Sequence, residues 1–119
     1  LLIDQDNLLV VSQKGLYVFN SHSGEQHWRQ AGIYYKAAVA SDGSIYAIND
    51  SKELVKFSRS GEMLWQKSTQ NGFNKIASPV VSANGVIFAW SYYNSNYYLV
   101  GMDTEGEELW RTRVSSRPV

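Results

Sequence analysis

Residues that could support acid–base or metal chemistry are few in this sequence, and they are not spaced as such chemistry requires. His22 and His27 lie in and beside one turn, and neither has another histidine at the spacing of a metal-binding pair. The segment 4–7, DQDN, has carboxylates of the kind that bind calcium, but it lacks the glycine and the distal glutamate of a calcium loop. These residues are therefore interpreted as parts of turns.

Three glutamates recur at equivalent positions of a repeated segment, and this arrangement does not suit catalysis. A catalytic acid and base must both reach the same substrate. Glu25, Glu62 and Glu107 occur once in each repeated unit, so we expect them to lie far apart. The chain has no cysteine, no glycine-rich phosphate loop and no Gly-x-Ser-x-Gly motif. The sequence therefore predicts no catalytic, cofactor-binding or metal-binding residue.

The composition limits the classes of partner. The 119 residues contain 11 Lys and Arg and 11 Asp and Glu, so no excess of positive charge indicates nucleic acid or an acidic membrane surface. The longest apolar runs have the length of β-strands, so no membrane span is predicted. The chain begins at Leu1 without a signal-peptide pattern, and we expect a processed or excised piece of a longer protein.

A Gly-Glu turn followed by tryptophan occurs three times and defines an internal repeat. The glycine and tryptophan pairs are Gly24 and Trp28, Gly61 and Trp65, and Gly106 and Trp110. The steps between successive tryptophans are 37 and 45 residues, and the longer step contains the polar and aromatic insert Ser91–Tyr98. The repeats are placed at about residues 1–36, 37–75 and 76–113, with the start of a fourth at 114–119.

Each repeat is predicted to contain four short antiparallel strands. The pairs Asp42-Gly43 and Asn84-Gly85 lie between apolar runs, where such pairs form tight hairpin turns because both residue types accept a positive φ. No segment has a sustained helical period, so essentially no helix is expected. Four strands in about 40 residues is the period of a β-propeller blade. A β-sandwich is the alternative, but it gives no reason for one Gly-Glu-x-x-Trp turn per four strands.

The repeated tryptophan is interpreted as a docking contact between neighbouring blades. A propeller sheet must bury both faces, and an indole, which buries about 150–250 Å², fills the space between two sheets. At about 25 cal/mol per Å², one indole contributes roughly 4–6 kcal/mol before opposing costs. The glycine permits the turn and offers a backbone surface to the ring of a neighbouring sheet.

Several stretches resemble the tryptophan-docking repeat of the PQQ-like, or quinoprotein-like, β-propeller family. Segment 16–28, LYVFNSHSGEQHW, is similar to its pattern, and segments 54–65, LVKFSRSGEMLW, and 99–110, LVGMDTEGEELW, match with one residue fewer before the glycine. Segment 77–89, ASPVVSANGVIFA, resembles the family's inner-strand opening. The resemblance covers nearly the whole chain. It implies an all-β fold of about three four-stranded antiparallel blades, which form a fragment of a larger propeller.

The resemblance implies several functions. Enzymes of the family hold PQQ with Ca²⁺ at the central axis, and several carry a disulfide between adjacent cysteines. This chain has no cysteine and no acidic pair on an inner strand. A non-catalytic scaffold or binding module, without cofactor, is therefore favoured. A fragment of a PQQ-dependent dehydrogenase and a carbohydrate-binding propeller are the alternatives. A periplasmic, cell-surface or secreted location follows from the resemblance alone.

Aromatic and basic residues are predicted to gather on one rim of the propeller. In a four-stranded blade, the loop that leads into the next blade emerges on the same side as the turn between the second and third strands. A protein or glycan partner could bind to these residues, or their rings could only shield the core. Separately, the open edges of the sheets could pair with another copy of the chain. The predicted rim residues are Tyr34, Tyr35, Lys36, Phe73, Lys75, Tyr92 and Tyr93.

The substitution Trp65→Ala tests the docking interpretation. We expect it to lower the free energy of unfolding by about 3–5 kcal/mol, because a large buried ring is replaced by a cavity. Chemical denaturation measures this loss, and an unchanged midpoint would contradict the docking role.

Overall fold

The computed structural model describes residues 3–69, 71–75 and 77–114, and these residues form eleven β-strands without a helix. The all-β fold predicted from the sequence is therefore confirmed. The strands are β1 Asn7–Ser12, β2 Gly15–Asn20, β3 Gln26–Ala31, β4 Tyr34–Val39, β5 Ile45–Asn49, β6 Leu54–Phe57, β7 Met63–Lys67, β8 Val80–Val81, β9 Ile87–Tyr93, β10 Asn96–Met102 and β11 Glu108–Val114.

The strands form three antiparallel sheets in chain order. The first sheet has the order β1-β2-β3, the second β4-β5-β6-β7 and the third β8-β9-β10-β11. The second and third sheets have the four strands predicted for each repeat. The first has three among the described residues, which begin at Ile3, close to the start of β1.

The predicted boundary between the second and third repeats, after residue 75, lies in a connection between strands, but the earlier boundary does not. The expected boundary after residue 36 falls inside β4, which pairs with β5 and belongs to the second sheet. Only Gly32 and Ile33 separate β3 from β4, whereas β7 and β8 are separated by residues 68–79. Of the expected fourth repeat, residues 115–119 lie outside the described part of the chain.

Tight turns close the hairpins as the sequence indicated. Gly43 has a φ of 87° in the turn between β4 and β5, and its N–H donates to the carbonyl of Ala40 at 3.0 Å. The insert Ser91–Tyr98 forms the ends of β9 and β10 with a two-residue turn at Asn94 and Ser95, whose φ values are 51° and 64°. Positive φ at both positions is the geometry of a type I′ turn. The insert therefore lengthens one hairpin of the third sheet.

Two apolar clusters hold the sheets together face to face. In β5, Ile45 and Ala47 are buried against first-sheet residues such as Leu9, whereas Tyr46 and Ile48 are buried with third-sheet residues. Because side chains alternate along a strand, β5 contributes to both clusters. The second sheet is thus covered on both faces, as in a propeller blade.

An indole of one sheet lies on the glycine turn of the next sheet. A Cβ added at Gly61 would stand 2.5 Å from Cδ2 of Trp28, and the Trp28 indole N–H donates to the carbonyl of Arg59 at 3.1 Å. Trp65 repeats this arrangement on the third sheet. Its N–H donates to the carbonyl of Thr104 at 2.9 Å, and its ring lies beside Gly106.

The first glycine and the last tryptophan of the series have different surroundings. A Cβ added at Gly24 would meet no atom of the described residues within 4 Å. Trp110 is 39% exposed, and its ring packs on Gly101 and Phe88 of its own sheet. The inter-sheet contact therefore occurs twice within the described residues.

The pair of substitutions Gly61→Ala and Gly24→Ala separates the docking contact from turn strain. Both glycines have positive φ, 93° and 76°, so both variants carry the cost of placing alanine there. Only at Gly61 would the new methyl group collide with an indole. We expect Gly61→Ala to lose about 1–3 kcal/mol more than Gly24→Ala. Urea denaturation of both variants measures the difference, and equal losses would show that the indole contact contributes nothing.

Candidate interaction rim

The rim lies at the end of the sheets opposite the Gly-Glu turns. It is formed by the start of β4, the β5–β6 turn, the connection from β7 to β8 and the tip of the β9–β10 hairpin. Of the predicted rim residues, Tyr35, Lys75 and Tyr92 are brought into this region. The structure adds Asp50, Lys52 and Tyr97.

Tyr35, Asp50 and Lys75 form a small polar cluster on the rim. The Tyr35 hydroxyl donates to Oδ1 of Asp50 at 3.0 Å, and Nζ of Lys75 donates to the same oxygen at 3.3 Å. The Lys75 ammonium also lies 4.7 Å from the centre of the Tyr35 ring, within the range of a cation–π contact. The cluster therefore joins β4, the β5–β6 turn and the inter-sheet connection.

These contacts keep Asp50 ionised. The hydrogen bond from Tyr35, followed by the hydrogen bond and positive charge of Lys75, lowers the pKa of the Asp50 carboxyl below its ordinary value of 3.8. A carboxylate that accepts hydrogen bonds is stabilised in its charged form. Asp50 consequently neutralises Lys75 at all but strongly acidic pH.

Backbone hydrogen bonds fix the connection between the second and third sheets. The N–H of Phe73 donates to the carbonyl of Lys52 at 2.8 Å, and the N–H of Asn74 donates to the carbonyl of Trp90 at 2.7 Å. The Ser91 hydroxyl donates to the carbonyl of Gly72 at 3.0 Å. Phe73 is fully buried between the two sheets. The connection is thus attached to both sheets, and the rim has a preformed shape.

A groove of about 350 Å³ opens beside this connection. Tyr92, 48% exposed, forms one wall, and its ring centre lies 4.7 Å from that of Tyr97 across the hairpin. Lys52 and Lys75 line the groove as well. The remaining lining residues are Asn71, Gly72, Phe73 and Asn74.

The other predicted rim residues have different positions. Tyr34, Tyr35 and Lys36 were expected in a loop, but they are the first residues of β4. Tyr34 is buried in the core with its ring edge against Phe57, and burial raises the pKa of its hydroxyl. Lys36 is exposed on β4, and Tyr93 is half-buried at the end of β9. Tyr34 and Phe73 therefore serve the core, whereas Tyr35 and Tyr92 lie on the rim.

Sequence reasoning missed three residues of the rim. Asp50 and Lys52 follow the apolar run of β5 and lie in the turn between β5 and β6, the second and third strands of their sheet. This turn emerges on the same side as the loops that lead from one sheet to the next, so these two residues could have been predicted as part of the rim. Tyr97 lies directly opposite Tyr92 in the register of β9 and β10. A two-residue turn at Asn94-Ser95 places Tyr97 opposite Tyr92, so this pairing can be read from the sequence once the turn is recognised.

The residues considered for acid–base or metal chemistry lie at the opposite end, most of them in or beside turns, whereas His27, interpreted above as part of a turn, is the second residue of β3. Oδ1 of Asp4 accepts the N–H groups of Asp6 at 2.8 Å and Asn7 at 2.9 Å, and Asp4 also pairs with Arg59. His22 is exposed and contacts Asp6 at 3.2 Å. Within the described ranges, no three His, Asp or Glu side chains are grouped as a metal site requires. These residues do not fit the calcium that accompanies PQQ.

Three stacked antiparallel sheets, linked by an indole on each following glycine turn, define the chain as part of a β-propeller. The family model described as outer membrane protein assembly factor BamB matches residues 1–119. The chain belongs to this family, and its resemblance to PQQ-like propellers is confirmed. No helix of the described residues is long and apolar enough to cross a membrane.

Solved structures show the same fold. A protein of unknown function from Bacteroides caccae is 17% identical, with a TM-score of 0.72 over 90% of this chain and 40% of its own. BamB from Moraxella catarrhalis is 19% identical, with a TM-score of 0.72 over 93% of this chain and 35% of its own. The chain thus spans less than half of either structure. A comparison with curated proteins finds no match.

The variant Tyr35→Phe tests the polar cluster. Loss of the phenolic donor should raise the pKa of Asp50 toward 3.8, because the largest stabilisation of its charged form is removed. A lowered pKa in the folded state stabilises the fold above pH 3.8, and this stabilisation is lost as the pH falls through the folded-state pKa. The unfolding free energy of the Tyr35→Phe variant should therefore depend less on acidic pH than that of the unchanged chain. NMR titration of the side-chain carboxyl carbons measures the shift. Asp42, whose pKa is lowered by hydrogen bonds from Ser44, is the internal control and should not move.

Proposed function

We propose that this chain is part of a non-catalytic propeller that binds a protein partner through its rim. The observation that carries the proposal is the preformed groove with an exposed tyrosine, Tyr92, at the junction of two sheets. Exposed aromatic residues on a rigid scaffold are typical of protein interfaces, where they supply contact area at a low cost in conformational entropy. The description of the family as an assembly factor supports the same role.

A groove that exists before the partner arrives favours binding. The connection that forms its floor is hydrogen-bonded to Lys52 on one side and to Trp90 on the other. Little ordering is then required on association, and less of the contact energy is lost to it. A loop without such contacts would have to become ordered during binding.

A carbohydrate ligand is the second candidate. Tyr92 and Tyr97 present two rings beside the amide side chain of Asn71. The rings are tilted by 48°, so they do not form one flat platform for a sugar ring. The protein partner therefore remains the stronger proposal. The PQQ-dependent dehydrogenase fragment has no group of carboxylates to support it within the described residues.

Site-specific photocrosslinking in the native host tests the proposed function. A photoreactive phenylalanine at position 92 should crosslink to one defined protein, identified by mass spectrometry, because this side chain lies at the groove. Position 64 is the matched control, since Leu64 has the same exposure of 48% but lies on β7, the outer strand of the second sheet. We expect no crosslink to that protein from position 64.

Three results would contradict the proposal. Equal crosslinking from positions 92 and 64 would show that the rim has no preference for a partner. Retention of the chain by a glycan array, lost in Tyr92→Ala, would favour the carbohydrate ligand. Tight binding of PQQ with calcium would favour the dehydrogenase alternative.

A further inference from the structure

The charged side chains are divided unevenly between the two ends of the sheets, although the chain as a whole is neutral. Eight of the eleven Asp and Glu residues lie in the turns at the end that carries the Gly-Glu motif, and Arg59 is the one Lys or Arg in those turns. These turns are residues 4–6, 20–25, 40–44, 58–62 and 103–107. Asp4 pairs with Arg59 and Glu107 with Lys67 of β7, so this end of the molecule keeps an excess of acids over their paired cations.

The rim end has the opposite character. Lys14, Lys36, Lys52 and Lys75 lie at this end of the sheets with two acids, Asp50 and Glu53, although Lys14 belongs to the first sheet and does not line the groove. Asp50 is paired with Lys75, and the Glu53 carboxylate accepts hydrogen bonds from side-chain amides within the second sheet. Neither Lys36 nor Lys52 forms an ion pair with any residue that the structure describes. Positive charge on the rim is therefore available to a partner.

Lys52 is held at the groove by its backbone. It has a φ of 63°, and its carbonyl accepts the N–H of Phe73 at 2.8 Å. Its Cβ also approaches Gly72 so closely that a Cβ added there would lie 2.5 Å away. The lysine stem thus packs against Gly72 in the groove that the exposed ring of Tyr92 also lines. A cation and an aromatic ring consequently face the same space.

We propose that the rim groove binds an acidic segment of the partner protein. Lys52 is the main contact for the carboxylates of that segment, and Tyr92 packs against its apolar atoms. This inference rests on the proposed function and names the chemistry of the partner. Electrostatic complementarity supports the same inference, because a positively charged interface favours a partner of negative charge and disfavours one of positive charge.

A protein segment fits this surface better than a nucleic acid or an anionic membrane. Proteins that bind duplex DNA neutralise about six to ten phosphates, and adsorption to anionic lipid likewise needs several basic residues. The groove offers one lysine without an ion pair among the described residues, Lys52, and the ionised Asp50 lies nearby. An extended polyanion would meet too few cations, whereas a short acidic segment needs only one such contact.

Fluorescence anisotropy with defined peptides tests the inference. The probe is a labelled glutamate-rich peptide that contains tyrosines, and the control probe has every glutamate replaced by glutamine. The whole chain should bind the glutamate peptide about tenfold more tightly at low salt, and the difference should shrink as NaCl rises from about 0.05 M to about 0.5 M.

Two variants with the same charge change locate the site. Lys52→Gln should weaken binding of the glutamate peptide at least about threefold. Lys14→Gln should not, because Lys14 lies in the β1–β2 turn of the first sheet, away from the groove. Thermal unfolding of both variants checks that they remain folded.

Several results would overturn the inference. One is equal affinity for the glutamate and glutamine peptides. Another is an equal loss of peptide affinity in Lys52→Gln and Lys14→Gln. A third is binding of duplex DNA or phosphatidylglycerol vesicles as tight as that of the glutamate peptide, if Lys52→Gln abolishes it. Light scattering could instead show that the chain self-associates and that Lys52→Gln abolishes this association. The rim would then bind the acidic end of a second copy. If the peptide assay fails while position 92 still crosslinks to one protein, the proposed function stands and only the acidic chemistry is wrong.

Discussion

The stacking of the sheets depends on one repeated contact, an indole resting on a glycine turn. In both instances the indole N–H donates to the carbonyl two residues before the glycine, from Trp28 to Arg59 and from Trp65 to Thr104. The missing Cβ allows the half-buried ring to approach the backbone, and the hydrogen bond gives the contact a direction. Hydrophobic attraction has no direction, so we expect the indole contact, together with the two apolar clusters, to restrict sliding of each sheet on the next.

The geometry of the rim follows from how the sheets pack on one another. Tyr35 and Asp50 belong to the second sheet, Tyr92 belongs to the third, and Lys75 lies in the connection between them. A shift between the two sheets would move one wall of the groove relative to the other. The contact of Trp65 with the Gly106 turn and the rim lie at different ends of the sheets, yet both depend on how the second sheet packs on the third.

The sequence allowed the fold to be predicted better than the rim. Hairpin turns, strand periodicity and the tryptophan repeat depend on neighbouring residues, so they can be recognised locally. The start of the second sheet was misplaced because the two inter-sheet connections differ in length, two residues against twelve, and only Gly32 marks the shorter one. Tyr34 and Tyr35 are adjacent, and the alternation of β4 sends one to the core and the other to the rim. The contact of Asp50 with Lys75 depends on packing across the whole second sheet, which no local pattern contains.

The division of charge between the two ends has its origin in turn chemistry. Aspartate is favoured in tight turns because its carboxylate accepts nearby backbone N–H groups. Asp42 accepts from Ser44 at 2.9 Å, and Asp103 accepts from Glu105 at 2.9 Å and from Glu107 at 3.0 Å. Such bonds lower the pKa of Asp42, so this end remains charged. Asp4, Asp42 and Asp103, which accept backbone N–H groups in their turns, thus lie at one end of a neutral chain, away from the lysines of the rim. A requirement of the turns thereby sets the electrostatic character of the surface where we place the partner.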